Sequence, residues 1–171
     1  MRLNWSILFP AILLFFIGIF NLVGVRSDLV STQVIAGVFA LVFFIILKAR
    51  GINFFKNNSV LFYWLGIALL VLTYFIGFES RGSKRWIDLY FFSFKASEFF
   101  KPFFAIFIAQ YFVVNKNWTY NYNTVLKGIG YFLLPAMLVL RQPDLGTTLV
   151  YASMFVPVLV YSGVPRRILT Q

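Results

Sequence analysis

The sequence contains neither cysteine nor histidine. Their absence excludes disulfides, thiolate nucleophiles, imidazole acid–base catalysis and nearly every zinc site, while leaving the redox compartment open. Acids are scarce too: five Asp and Glu stand against fifteen Lys and Arg, a net charge of +10. Charged residues make up only 12% of the chain, about half the share of a soluble domain. A P-loop, a Gly-rich dinucleotide turn and a Ser nucleophile elbow are also missing.

What fills the 171 residues is apolar: 61% are hydrophobic and 21% aromatic, with 23 Phe. Such a chain cannot keep a soluble surface, so composition points to an integral membrane protein. In a soluble chain the excess of bases would suggest nucleic acid. Here the bases fall between apolar runs, where they set topology and meet anionic lipid, and no nucleic-acid partner is expected. Arg2 gives a positive start, but the apolar stretch Trp5–Val25 is longer than a signal core and no small-x-small cleavage site follows. It reads as a retained first span.

A spanning helix needs about 20 mostly apolar residues. Six segments qualify or come close: Trp5–Val25, Leu29–Leu47, Val60–Phe78, Phe99–Val114, Val125–Leu140 and Leu145–Val164. The fourth and fifth need flanking residues to reach both interfaces. Backbone groups find no water inside a bilayer, and long apolar runs do not suit barrel strands. The expected fold is therefore all-α, a polytopic transmembrane helix bundle forming a single membrane domain over 1–171. Asn53, Asn57, Asn58 and Ser59 mark one expected loop. Residues 115–124 (NKNWTYNYNT) mark another, with Trp118, Tyr120 and Tyr122 suited to the interface.

With the N-terminus in the cytoplasm, eight bases fall inside (Arg2, Lys48, Arg50, Lys56, Lys116, Lys127, Arg166, Arg167) and seven outside. Five of the outer seven lie in one stretch, RGSKRWIDLYFFSFKASEFFKP (81–102), within the expected outer loop 79–98 or just past its end; without it the count is eight against two. All five acids also fall outside. An outer segment that departs from the rule in this way is expected to bind something.

Within it, Arg81, Lys84 and Arg85 fall together just before Trp86. Guanidinium forks match phosphate oxygens in pairs, so bases beside an aromatic suit an anionic head group, above all a pyrophosphate. The same spacing fits a solvated loop. Ser97 is a good N-cap, and Glu98 suits the first turn of the fourth span, on one face with Lys101. Ionisable groups at that depth suggest function; a capped helix with a snorkelling Lys is the plain alternative. Pro102 predicts a local bend. In RQPDLGTT (141–148), Pro143 stops one helix and Asp144 can cap the next while pairing with Arg141. Asp144 could equally stand in an outer cavity, positioning a sugar hydroxyl, a divalent ion or one of the bases at 81–85.

Gly82-Ser83-Lys84-Arg85-Trp86-Ile87, then Phe92-Ser93-Phe94, then Ser97-Glu98-Phe99 with Lys101, resembles the outer-loop signature of the SEDS proteins (shape, elongation, division and sporulation). Gln142-Pro143-Asp144-Leu145-Gly146-Thr147 resembles their second signature. "RWIDL" followed by "FSF" looks closer to the elongation member than to the division member. The resemblance implies a multi-pass protein of the bacterial cytoplasmic membrane, N-terminus inside, that polymerises lipid II into peptidoglycan. It implies a class B penicillin-binding protein as transpeptidase partner, and elongasome or divisome proteins around it. Arg81, Lys84, Arg85, Trp86, Ser97, Glu98, Lys101, Gln142 and Asp144 would line the substrate cavity, with Arg85 and Lys84 on the pyrophosphate. No cofactor is firmly implied; a divalent magnesium or manganese ion is the one left open.

Two departures stand out. Lys95-Ala96 occupies the place of the family's Gln-Pro. The family has ten spans where this chain shows six, and its general-base carboxylate lies in a later outer loop. The catalytic residue is thus expected beyond Gln171, and this chain alone is expected to be inactive. The alternatives are a lipid II flippase, which needs a cavity opening to both faces, and a non-catalytic membrane scaffold.

Overall fold

The apolar runs become helices, as a medium without water requires. A computed structural model of the chain describes residues 5–80, 83–89, 93–115 and 122–162, apart from the side chains of Ile7, Glu79, Ser80 and Ser83. In order these form α1 (Trp5–Val25), a 3-10 turn (Ser27–Leu29), α2 (Val30–Asn57), α3 (Ser59–Ile76), β1 (Phe78–Ser80), β2 (Ser83–Asp88), β3 (Ser93–Phe94), α4 (Ala96–Val114), α5 (Tyr122–Arg141) and α6 (Leu145–Tyr161). Helices α1 to α5 are long and apolar enough to cross a membrane; α6 is apolar but, at 17 residues, shorter. The protein is an all-α polytopic membrane bundle carrying one small sheet.

The chain divides into two compact units, 1–52 with 89–92, and 53–88 with 93–171. In the first, α1 and α2 approach where the Phe15 ring lies against Gly37, a contact that a side chain at 37 would obstruct. Arg26 and Asp28 pair in the exposed turn between them, through Nε at 3.0 Å and a terminal guanidinium nitrogen at 2.8 Å. Most of the described apolar side chains of α1 and α2 are exposed, as suits helices covered by lipid.

The segment expected as a loop at Asn53–Ser59 is helical apart from a turn at Asn58. Its break comes earlier, at Gly51, whose φ of 70° and ψ of 163° are open essentially to glycine alone. Aromatic packing explains the helix beyond it: Phe55 meets Phe62 and Phe103, with ring centroids at 5.2 and 6.1 Å, and Asn58 Nδ2 donates to Phe54 O. The two shortest expected spans also lengthen. Helices α4 and α5 reach 19 and 20 residues by taking in Ala96–Glu98 and Tyr122–Thr124 at their starts.

The second unit is built around α4, whose Phe100, Phe104, Phe107 and Ile108 are buried against α3 and α6. Tyr63 stacks on Phe107 at 4.1 Å, and Phe62 on Phe103 at 5.0 Å. Gly66 lets α3 come close enough for the Phe100 ring to lie against its backbone. Where lipid removes the hydrophobic drive between helices, such packing and interhelical hydrogen bonds hold them together. Tyr63 Oη donates to Tyr131 O at 2.9 Å, Tyr151 Oη to Ser97 O at 2.9 Å, and Gln142 Nε2 to Leu70 O at 3.1 Å.

The expectation of helices alone missed the sheet. Strands run antiparallel in the order β1-β2-β3, with Glu79 opposite Lys84 and Ile87 opposite Phe94. Lying between the end of α3 and the start of α4, the sheet satisfies backbone groups of a segment too charged to continue either helix.

Candidate functional site

Three elements meet at the sheet-bearing end of the second unit: β2, the start of α4, and the turn from α5 into α6. The turn is fixed first. Asp144 caps α6, accepting from Thr147 N at 3.1 Å through Oδ1 and from Thr147 Oγ1 at 2.8 Å through Oδ2, while Thr148 Oγ1 donates to Asp144 O. The cap expected from the sequence is present, but its ionic partner is not Arg141. Lys95 Nζ lies 2.7 Å from Asp144 Oδ2, and an Arg85 guanidinium nitrogen lies 3.8 Å from Oδ1. Asp144 is 6% exposed, so bases held close by the fold outcompete an exposed Arg141.

Lys95 is the centre of the arrangement. Its ammonium also donates to Thr147 Oγ1 at 3.2 Å, lies 3.5 Å from Glu98 Oε1, and stands 5.9 Å from the centre of the Trp86 ring. Glu98 in turn accepts from Lys101 Nζ at 2.6 Å, the pair expected on one helical face. Arg85, Asp144, Lys95, Glu98 and Lys101 thus form one chain of alternating sign, with one positive charge in surplus.

Burial alone pushes the Asp144 carboxyl up. The hydrogen bond from Lys95 and those from Thr147 outweigh it and hold the group below its ordinary value. A carboxylate whose charged form is favoured by these donors is a weak proton acceptor, and Glu98 is half exposed and tied to Lys101. Neither is set up as a general base. What the arrangement offers is fixed positive charge and oriented donors, suited to an anion or to negative charge developing on one. Among the described residues no three potential metal ligands gather, and Asp144 faces two cations; this donor set does not build a divalent-ion site.

The other expected residues fall as follows. Lys84 is exposed on β2, and Trp86 is half buried beside Lys95. Arg81 lies outside the described residues. Gln142 is 3% exposed, with its amide nitrogen bonded to Leu70 O. Ser97 does not cap α4. Lys95 occupies the cap position in extended conformation, and Ser97 sits inside the first turn, 2% exposed, its Oγ without a hydrogen-bond partner among the described residues. Anchoring of Lys95 by Asp144 starts the helix at Ala96, which carries Ser97 past the position from which it could cap.

Sequence reasoning left Lys95 and Thr147 off the site. The signal for Lys95 was its own oddity, a base standing directly before a helix start where the resembling family has Gln.

The chain matches the cell cycle protein family of FtsW, RodA and SpoVE over residues 5–171. It is 30% identical over 137 residues to the peptidoglycan glycosyltransferase RodA of Treponema pallidum, covering 80% of this chain and 31% of that protein. It is 32% identical over 127 residues to a Hydrogenovibrio crunogenus protein named probable peptidoglycan glycosyltransferase FtsW, covering 72% and 32%. Proteins of both kinds match about equally, so the motif from Arg85 to Phe94 does not separate them. The crystal structure of the rod shape determining protein RodA of Thermus thermophilus superposes with a TM-score of 0.80 at 25% identity, covering 99% of this chain and 57% of that one. The matched stretch spans about a third of the length of these curated relatives. On the match over nearly its whole length, the chain belongs to the FtsW/RodA/SpoVE family of cell cycle proteins.

Proposed function

We propose that this chain forms part of the substrate cavity of a peptidoglycan glycosyltransferase, which polymerises lipid II at the outer face of the bacterial cytoplasmic membrane. The observation that carries the reading is the Arg85–Asp144–Lys95 constellation, a surplus of fixed positive charge at the sheet-bearing end. Lipid II presents a pyrophosphate at the membrane surface, and its departure as leaving group concentrates negative charge there. Arg85, oriented by Asp144, would meet that charge, with Lys84 exposed beside it on the same strand. Lys95, fixed between two carboxylates, would hold strand and helix start in position. The family's later spans would supply the general base, and a class B penicillin-binding protein the crosslinking. The distribution of Lys and Arg supports a cytoplasmic N-terminus, which puts the constellation outside.

The test is lipid II polymerisation by the purified protein as its own cell makes it. Arg85→Ala should lower the rate about a hundredfold, the usual cost of removing a fixed donor, at unchanged membrane level. Asp144→Ala, which removes the acid shared by Arg85 and Lys95 and uncaps α6, should lower it at least as far, with some loss of stability. Near-normal glycan synthesis by both variants would sink the assignment.

A further inference from the structure

The opposite end of the second unit holds a cleft of about 450 Å³, between the end of α2, the start of α3 and the end of α4. Its polar lining includes Lys56, Asn57, Ser59 and Gln110, and its apolar lining is the buried Phe107 with the exposed Val60 and Val114. The polar side chains are unused: none of those four makes a hydrogen bond or ion pair with any described residue. Ser59 is only 5% exposed, so its hydroxyl opens to the cleft and little else.

The electrostatics of this end are one-sided. Every acid of the second unit lies elsewhere: Glu79 and Asp88 belong to the strands, Glu98 starts α4 and Asp144 precedes α6. Tyr111 Oη donates to Thr124 O at 2.9 Å, which brings the start of α5, with Lys127, to the same end. An ammonium, two amides and a hydroxyl beside apolar side chains, where α2 and α4 end and α3 begins, match a phosphate with an acyl chain attached.

We propose that this cleft is a binding site for an anionic glycerophospholipid of the adjoining leaflet. Lys56, Ser59 and Gln110 bond the phosphate oxygens, and the upper acyl chain lies along Val60, Phe107 and Val114. The site stands apart from the charged constellation and does not depend on the polymerase reading.

Native mass spectrometry of the purified protein, offered equal phosphatidylglycerol and phosphatidylcholine of one acyl composition, tests it. Retention of phosphatidylglycerol over phosphatidylcholine is expected. Lys56→Gln, a change at an exposed position, should reduce the phosphatidylglycerol adduct about fivefold, the effect of one base near a membrane surface. Gln110→Leu should weaken it as well, whereas Arg141→Gln, at the far end of α5, should leave it unchanged. Equal retention of the two lipids, or no response to Lys56→Gln, overturns the proposal. So does an equal loss with Arg141→Gln, which would mean attraction by net charge alone. Displacement by inorganic phosphate at constant ionic strength would identify a free-phosphate site and overturn the lipid assignment.

Discussion

Lys95 Nζ stands 2.7 Å from Asp144 Oδ2 and thereby joins the residue before α4 to the residue before α6. The side chains are 15% and 7% exposed, so this is a shielded pair, with Thr147, Glu98 and the Trp86 ring also around the ammonium. Removing one partner of such a pair strands the other. Lys95→Met should cost on the order of 3 kcal/mol. Glu98→Gln touches a half-exposed carboxylate and should cost less than about 1 kcal/mol. Thermal melting of the purified variants in detergent checks the ratio. Equal shifts would mean that the pair's burial contributes nothing.

Stability should also respond to acid in a set direction. The folded state holds the Asp144 carboxyl below its ordinary value of 3.8, so its contribution is complete above that pH and declines as pH falls below it. Asp144→Asn keeps a capping oxygen but has no proton to gain. The wild type should lose more melting temperature than this variant when pH is taken from 6 down to 3, and parallel losses would rule out Asp144 as the source.

Helix approach makes a third expectation. A methyl group at Gly66 would run into the Phe100 ring, whereas at Gly130 it would meet nothing. Gly66→Ala should destabilise by about 1–3 kcal/mol, the usual cost of overpacking. Gly130→Ala should be neutral or stabilise by up to about 1 kcal/mol. Melting curves that ranked the two the other way would contradict the close packing of α3 on α4.

Gln142 offers a sharper division between holding and binding. Its amide bonds a mid-helix carbonyl, Leu70 O, and interhelical bonds of that kind in membranes average about 0.6 kcal/mol. On the proposed polymerase reading, Gln142→Met should therefore lower stability slightly and leave the KM for lipid II unchanged. A raised KM at unchanged melting temperature would instead place its side-chain oxygen on the substrate.

The helices and the Asp144 cap were legible because both are local. Apolar runs of spanning length leave few alternatives, and Asp-Leu-Gly-Thr puts a carboxylate three residues before the amide it accepts. Asn53–Ser59 misled because its polar residues suggest a loop, while Phe54 and Phe55 find ring partners on α3 and α4 that no local pattern reveals. β2 escaped notice because Ser83–Asp88 is charged and lacks clean alternation; its pairing with β1 and β3 satisfies its backbone. Lys95 was visible only as an unexpected base, since its partner Asp144 belongs to a distant turn.

The bond from Tyr151 Oη to Ser97 O spans 54 residues of chain, and that from Lys95 to Thr147 spans 52. A ribosome therefore delivers α4 to the bilayer well before the groups that fasten its entry end exist. Until they emerge, the ammonium of Lys95 has Glu98, three residues along, as its paired acid. Insertion and settling are thus separate events for this helix: α4 enters in its turn, and its start is fastened once α6 arrives.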